Sequence, residues 1–339
     1  MSETLLSARV VRAPALAEGE WINTPAPIAL AGLRGQTVLV DFWDYTCINC
    51  LRTLPYLRQW HARYRPHGLV IIGVHAPEFA FGRERGQIEA AVRELDIPYP
   101  VLLDSGFRTW DAFANRCWPA KYLIDPHGYI RYQSRGEGGY EAFERAIQAV
   151  LLEDNPSREL PPVMQPLRPE DRPGAVCYRA TPELHAGLER GALGNPEGYA
   201  GGVPVLYRMP AQRPHGAFYA EGAWQAGREY LSYQGQAEGV IKLPYEAVEV
   251  NAVLAPHFEA VERMLHPQTV SVEVWQDDLP LDEAVRGADV SAEGRALVDR
   301  PRLYNLVRNP GFERHELTLR VRARGFAVYA FSFTTCARP

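Results

Sequence analysis

Gln36-Thr-Val-Leu-Val-Asp41-Phe-Trp43 runs straight into Asp44-Tyr-Thr-Cys47-Ile-Asn-Cys50-Leu-Arg-Thr-Leu54. The first part is a short apolar run rich in β-formers, preceded by Gly35, and predicts a buried parallel strand. The second opens a pattern in which Leu51, Leu54, Leu57, Trp60 and Tyr64 recur at helical spacing, so a helix is expected over 47–64 with a kink at Pro55. A strand that delivers two thiols to the start of a helix carries chemistry in its geometry. Cys47 falls at the helix N-terminus, where unpaired N–H groups and the macrodipole favour a thiolate. Cys50, one turn in, is expected to be more buried and less acidic. That asymmetry assigns roles: Cys47 attacks a partner sulfur and Cys50 resolves the mixed disulfide.

Outward from this segment, residues 68–75 predict a second buried strand, 83–95 a helix, 99–103 a third strand and 107–115 a short helix. Residues 120–125 and 129–133 read as a hairpin around Pro126-His127-Gly128, and 140–152 as an amphipathic closing helix. The order predicts an α/β domain over 1–152, with residues 1–20 as a lead-in. Prolines 156, 161, 162, 166, 169 and 173 deny helix and sheet, so 153–175 are expected to be a linker. From 176 to 339 short alternating stretches recur between Gly, Pro and Asn-Pro turns, among them 240–243, 247–254, 302–307, 316–322 and 327–334. They predict an all-β sandwich, jelly-roll-like.

The 339 residues exceed one typical core and suit two domains. With 36 basic against 41 acidic residues, the chain has no basic footprint for nucleic acid. No apolar run approaches the ~20 residues that span a bilayer, and the first residues, with Glu3 among them, lack the pattern of a signal peptide. As it stands the sequence therefore predicts a cytoplasmic protein. Five cysteines make no disulfide framework: Cys47 and Cys50 form a pair, while Cys117, Cys177 and Cys336 stand alone and the last two are expected to be unpaired, with a Cys177–Cys336 bridge as the lesser reading. Two thiols are half a zinc site, and no second pair completes one, so no metal is expected.

Asp41 to Cys50 resembles the thioredoxin active-site stretch, and Trp118-Pro119-Ala120 resembles its cis-proline loop. By that resemblance Asp41 corresponds to a buried aspartate that assists proton transfer from Cys50. Trp118 and Pro119, with Trp43 and Tyr45, are then the substrate-binding residues. Cys47 to Pro55, Gly73-Val-His-Ala-Pro-Glu78-Phe79, Trp118 to Asp125, and Gly136-Glu-Gly138 with Tyr140 are similar to the soluble portion of DipZ-type proteins, relatives of the TlpA and ResA thioredoxins. The resemblance spans most of 20–335 and is tightest in the first half. It implies a thioredoxin-like domain with a helical insert at 83–95, then a β-sandwich resembling a carbohydrate-binding module. It also implies a thiol–disulfide oxidoreductase acting on protein clients, with no cofactor beyond the Cys47–Cys50 couple. Electrons in that family often come from a CcdA-like membrane domain, which makes an extracytoplasmic location the alternative.

Departures are informative. Ile48-Asn49 replaces the Gly-Pro of thioredoxin, which leaves the reduction potential and the direction of transfer open. Cys117, two residues before Pro119, replaces an aromatic and is a candidate third exchanging thiol; Glu78 is a second candidate acid. His75 reads as a strand-end core residue. Trp224, Trp275, Tyr207, Tyr219, Tyr233 and Tyr245 are sandwich core or, as the lesser reading, a sugar-stacking face. Two other functions compete. A peroxiredoxin-like peroxidase would want P-x-x-x-T-x-x-C, whereas Thr46 directly precedes Cys47. A non-catalytic binding protein would act through the sandwich alone.

Overall fold

The structure, a computed structural model, describes residues 6–172, 174–175, 177–179, 181–265 and 268–336. Glu3 and Pro173 lie outside the described residues. The chain divides into two units, Met1–Asp171 and Arg172–Pro339.

The first unit runs β1 (Glu20–Ile22), β2 (Thr37–Trp43), α1 (Ile48–Tyr64), β3 (Leu69–His75), α2 (Arg85–Glu94), β4 (Val101–Leu103), α3 (Arg108–Ala112), β5 (Ala120–Ile124), β6 (Ile130–Arg135) and α4 (Tyr140–Asp154). Its sheet has the order β1-β4-β3-β2-β5-β6, parallel at β4-β3-β2 and antiparallel elsewhere. Every residue of β2 is buried, as a strand covered on both faces requires. Val38, Val40 and Phe42 pack with Ile72, Val74, Trp110, Phe113 and Tyr122 on one side. Leu39, Asp41 and Trp43 alternate to the other side, that of α1 and α4, where Trp60 stacks on Phe143 and Tyr56 on Tyr140. The α1 helix continues through Pro55.

Residues 155–171 are not a free spacer. They lie as a strap on the first unit, because polar side chains of α1 and α4 satisfy the backbone that the prolines keep out of helix and sheet. Tyr56 Oη donates to Asp171 at 2.7 Å and accepts from Leu167 N at 2.8 Å. Gln148 Nε2 donates to Pro161 O, and Glu144 accepts from Met164 N. Arg168 joins Asp171 and Glu137, and Arg52 joins Glu137 and Glu170.

The second unit holds β7 (Leu184–His185), β8 (Pro204–Tyr207), β9 (Tyr219–Ala226), β10 (Leu231–Tyr233), β11 (Gly239–Ala255), α5 (Ala260–Leu265), β12 (Val270–Gln276), β13 (Leu279–Pro280), β14 (Arg295–Val298), β15 (Arg302–Val321) and β16 (Ala327–Thr334). All its ladders are antiparallel, and β11 pairs with β9 along its first part and with β16 along its second, so the sheet folds back on itself into a β-sandwich. The expected pairs of strands at 240–243 and 247–254, and at 302–307 and 316–322, are each one long strand. Asn309-Pro310-Gly311 reads as a turn in sequence. In the structure the register slips between Ala247 and Glu249, so residues 309–312 bulge opposite Val248 and the proline needs no ladder partner.

Of the aromatic residues considered for sugar stacking, Trp224, Tyr207, Tyr219, Tyr233 and Tyr245 are buried. Trp275 is half-buried, with the Arg320 guanidinium 4.9 Å above its ring. Cys177 and Cys336 are not unpaired: they form a disulfide across an antiparallel bridge, 159 residues apart in sequence. The lesser reading is thus the one realised: the sandwich brings together two cysteines far apart in sequence.

Candidate active site

The last residues of β2 and the first turn of α1 set the two thiols. Cys47 is the N-cap of α1, its backbone extended, and its Sγ accepts from Cys50 N at 3.4 Å. The cysteine thus caps its own helix with sulfur where oxygen usually serves. Cys47 is half-buried and unbridged; Cys50, one turn on, is 1% exposed. Burial pushes the Cys50 thiol well up, and the hydrogen bond and charge of Cys47 push it further. The expected asymmetry between an accessible and an inner thiol is therefore present.

Beneath them Asp41 is fully buried, and neither of its oxygens has a hydrogen-bond partner among the described residues. Desolvation raises its carboxyl to about 7, against the pull of Lys121. Lys121 is the cross-strand partner of Asp41 on β5, and on the other side Gly73 of β3 stands opposite Asp41. A Cβ at Gly73 would crowd Trp43 Nε1 and Tyr99, so the glycine leaves room for these rings beside the carboxylate. Tyr99 is buried and feels the charges of Asp41 and Cys50.

The loop before α1 is held by a residue that the sequence reading passed over. Asp44 is fully buried; its Oδ1 accepts from Thr46 N and Thr46 Oγ1, both at 2.7 Å, and its Oδ2 from Glu78 N at 2.5 Å. The Asp-x-Thr pattern is the signal for this turn. The carboxylate ties the Cys47 loop to the loop after β3. Asp44→Ala leaves three donors without it, and a stability loss of about 2–3 kcal/mol is expected from urea unfolding.

The Trp118–Pro119 bond is cis. Trp118 is half-buried, donates from Nε1 to Ala76 O at 2.9 Å, and packs against Trp110 at 4.4 Å between centroids. Pro119 is buried. Trp43 and Tyr45, expected as substrate-binding residues, present no side-chain surface to a substrate. Trp43 is fully buried, and Tyr45 is 5% exposed and stacked on the His75 ring. Strand alternation turns Trp43 inward, and sequence proximity to the thiols misplaces it. His75 is core, as expected; burial pushes its imidazole down, and its ring nitrogens have no partner among the described residues. Glu78 is half-buried after β3. Cys117 is half-buried and unbridged, and its carbonyl accepts from Asn115 Nδ2.

Residues 15–133 match the model of the AhpC/TSA family, and residues 181–334 match that of the thioredoxin like C-terminal domain. The chain is 36% identical to protein DipZ of Mycobacterium bovis over 245 residues, 69% of this chain and 33% of DipZ; it thus spans about a third of the length of that relative. It is 29% identical over 137 residues to the thiol-disulfide oxidoreductase YkuV of Bacillus subtilis, covering 40% of this chain and 90% of YkuV. The solution structure of a thioredoxin-like protein in the oxidized form matches 42% of the chain and 97% of its own, with 29% identity and a TM-score of 0.38. The chain is a DipZ homologue, in which a thioredoxin-like unit bearing Cys47 and Cys50 precedes a thioredoxin like C-terminal domain folded as a β-sandwich.

Proposed function

We propose that this chain is a thiol–disulfide oxidoreductase whose reaction runs through Cys47 and Cys50. The observation that carries the reading is the pair itself: one thiol capping a helix at the surface, the other a turn deeper, over a buried carboxylate. When a client disulfide is reduced, Cys47 thiolate attacks one client sulfur, and the other client sulfur leaves as thiolate. The Cys50 thiol then gives its proton to Asp41, and its sulfur displaces the client from Cys47. The products are the Cys47–Cys50 disulfide and a client dithiol, two electrons having passed from protein to client. Run backwards, the same steps oxidise a client. The two sulfurs are the redox group that this reading requires.

In this reading Trp118 and the cis-Pro119 backbone are the client-binding residues, and Glu78 and Cys117 stand as candidates to tune the pair. Protein clients, rather than sugars, are the partners we propose, because Arg320 covers Trp275 and the other aromatic candidates are core. The donor implied by the resemblance, a CcdA-like membrane protein, belongs to the same proposal. Among the described residues no helix is long and apolar enough to cross a membrane. The Cys177–Cys336 bridge supports the extracytoplasmic reading over the cytoplasmic one, since structural disulfides persist where the medium oxidises.

Insulin reduction with dithiothreitol tests the activity. Catalysed precipitation of the insulin chains is expected. Absence of rate enhancement overturns the reading, and peroxide-dependent oxidation in its place supports the peroxidase alternative.

A further inference from the structure

Lys121 is the fully buried lysine of the chain's first unit, and it lies in an otherwise uncharged strand. Burying an ammonium costs several kcal/mol unless a partner compensates it. Its own hydrogen bond is weak, from Nζ to Gly136 O at 3.4 Å. Its charged surroundings are specific. Cross-strand pairing with Asp41 puts both side chains on the sheet face that carries α1. The ionisable groups near enough to act on it are Asp41 of β2, Cys50 of α1, Glu137 after β6 and Cys117 before β5. From the remaining elements Cys47 and the Asp44 backbone act on Cys50, and Tyr99 feels the charges of both Asp41 and Cys50. Lys121 is thus a buried base, its own pKa lowered by burial, whose charge is felt by both the buried carboxylate and the inner thiol.

We propose that Lys121 is a positioning residue for the resolving step, its ammonium compensating the negative charge first on Asp41 and then on Cys50 as the proton passes between them. The proposal rests on the oxidoreductase reading above. Before transfer the anion is the Asp41 carboxylate; after it, Asp41 is the neutral acid and the anion is the Cys50 thiolate. One cation beside both sites means that the charge moves without ever being stranded in a low-dielectric interior. Without it, Asp41 would hold its proton to higher pH and could not take another from Cys50.

Ellman's reagent, an aromatic disulfide, separates the steps by stopped flow. Attack by Cys47 releases one aryl thiolate, and displacement by Cys50 releases the second. Each is read at its absorbance, with Cys117→Ala in every protein so that two thiols report. In Lys121→Met the first phase is expected to stay within about twofold. The second phase rises with pH as Asp41 ionises, so raising the Asp41 midpoint moves this profile to higher pH. A move of about one unit, read as roughly tenfold slowing at pH 7 and recovery at pH 9, is expected.

A second phase with the wild-type midpoint overturns the proposal, and so does slowing that is equal at every pH, as mere loosening of the core would give. If the variant does not fold, nitrogen-15 NMR of wild-type Lys121 decides: an ammonium at pH 7 supports the proposal, and a neutral amine overturns it. Absence of a second aryl thiolate from the wild type would instead bring down the underlying oxidoreductase reading.

Discussion

Cys47→Ser is expected to bring disulfide reduction down to the uncatalysed rate, a loss of roughly 10³-fold or more. A hydroxyl is a far weaker nucleophile than a thiol and stays protonated at neutral pH, so the first bond to the client sulfur does not form. The buried thiol cannot take over, because Cys50 is 1% exposed and burial holds its proton in place. Cys50→Ser should behave differently. Cys47 still attacks, but nothing displaces the client from it, and the protein accumulates as a mixed disulfide. Mass spectrometry after quenching with acid checks both outcomes: client adduct on Cys50→Ser, none on Cys47→Ser. An adduct mapped to Cys50 in Cys47→Ser, or equal turnover in both variants, would overturn the assignment of roles. The Cys47→Ser variant also separates the oxidoreductase from a binding protein that works through its sandwich, which this substitution would leave intact.

These roles were legible because they depend on local order. An apolar run followed by helical spacing places Cys47 at a helix start and Cys50 inside it, and the structure has Cys47 as the cap. The role of Asp41 was legible only through the resemblance to the thioredoxin active-site stretch; in sequence it is a lone carboxylate in an apolar strand, which the structure buries on both faces. Lys121 carries the same signal, a lone charge in Ala120–Ile124, but its meaning depends on which strand lies alongside, and register is not written in one strand. Trp43 and Tyr45 were misplaced for the converse reason. They neighbour the thiols in sequence, yet alternation and the turn send their rings into the core. The short β1 strand, three residues with no fully buried member, gave no period to find. In the second unit, Pro310 and Gly311 look like a turn unless the partner strand is known to tolerate a bulge there.

The disulfide of the second unit makes the other large effect. Replacing both Cys177 and Cys336 by serine is expected to destabilise the sandwich by about 2–5 kcal/mol. The bridge ties residues 159 apart, so it removes a large set of extended conformations from the unfolded chain, and loops of that length give the greatest entropic benefit. The local fold offers little to replace it. Leu184 and His185 form a two-residue strand on β16, and the nearby backbone bond from Tyr178 N to Thr335 O is 3.2 Å long. The β7 edge and the end of β16 should therefore open first in the double variant. Hydrogen exchange read by mass spectrometry checks this: faster exchange is expected across 177–186 and 330–336. The buried aromatic core around Trp224, Tyr233 and Tyr245 should keep its protection until global unfolding. Both cysteines are replaced together because a single serine would leave an odd thiol able to exchange with Cys47. A double variant with unchanged urea midpoint and unchanged exchange would mean that the ladders of β11, β15 and β16 hold the sandwich closed without the bridge.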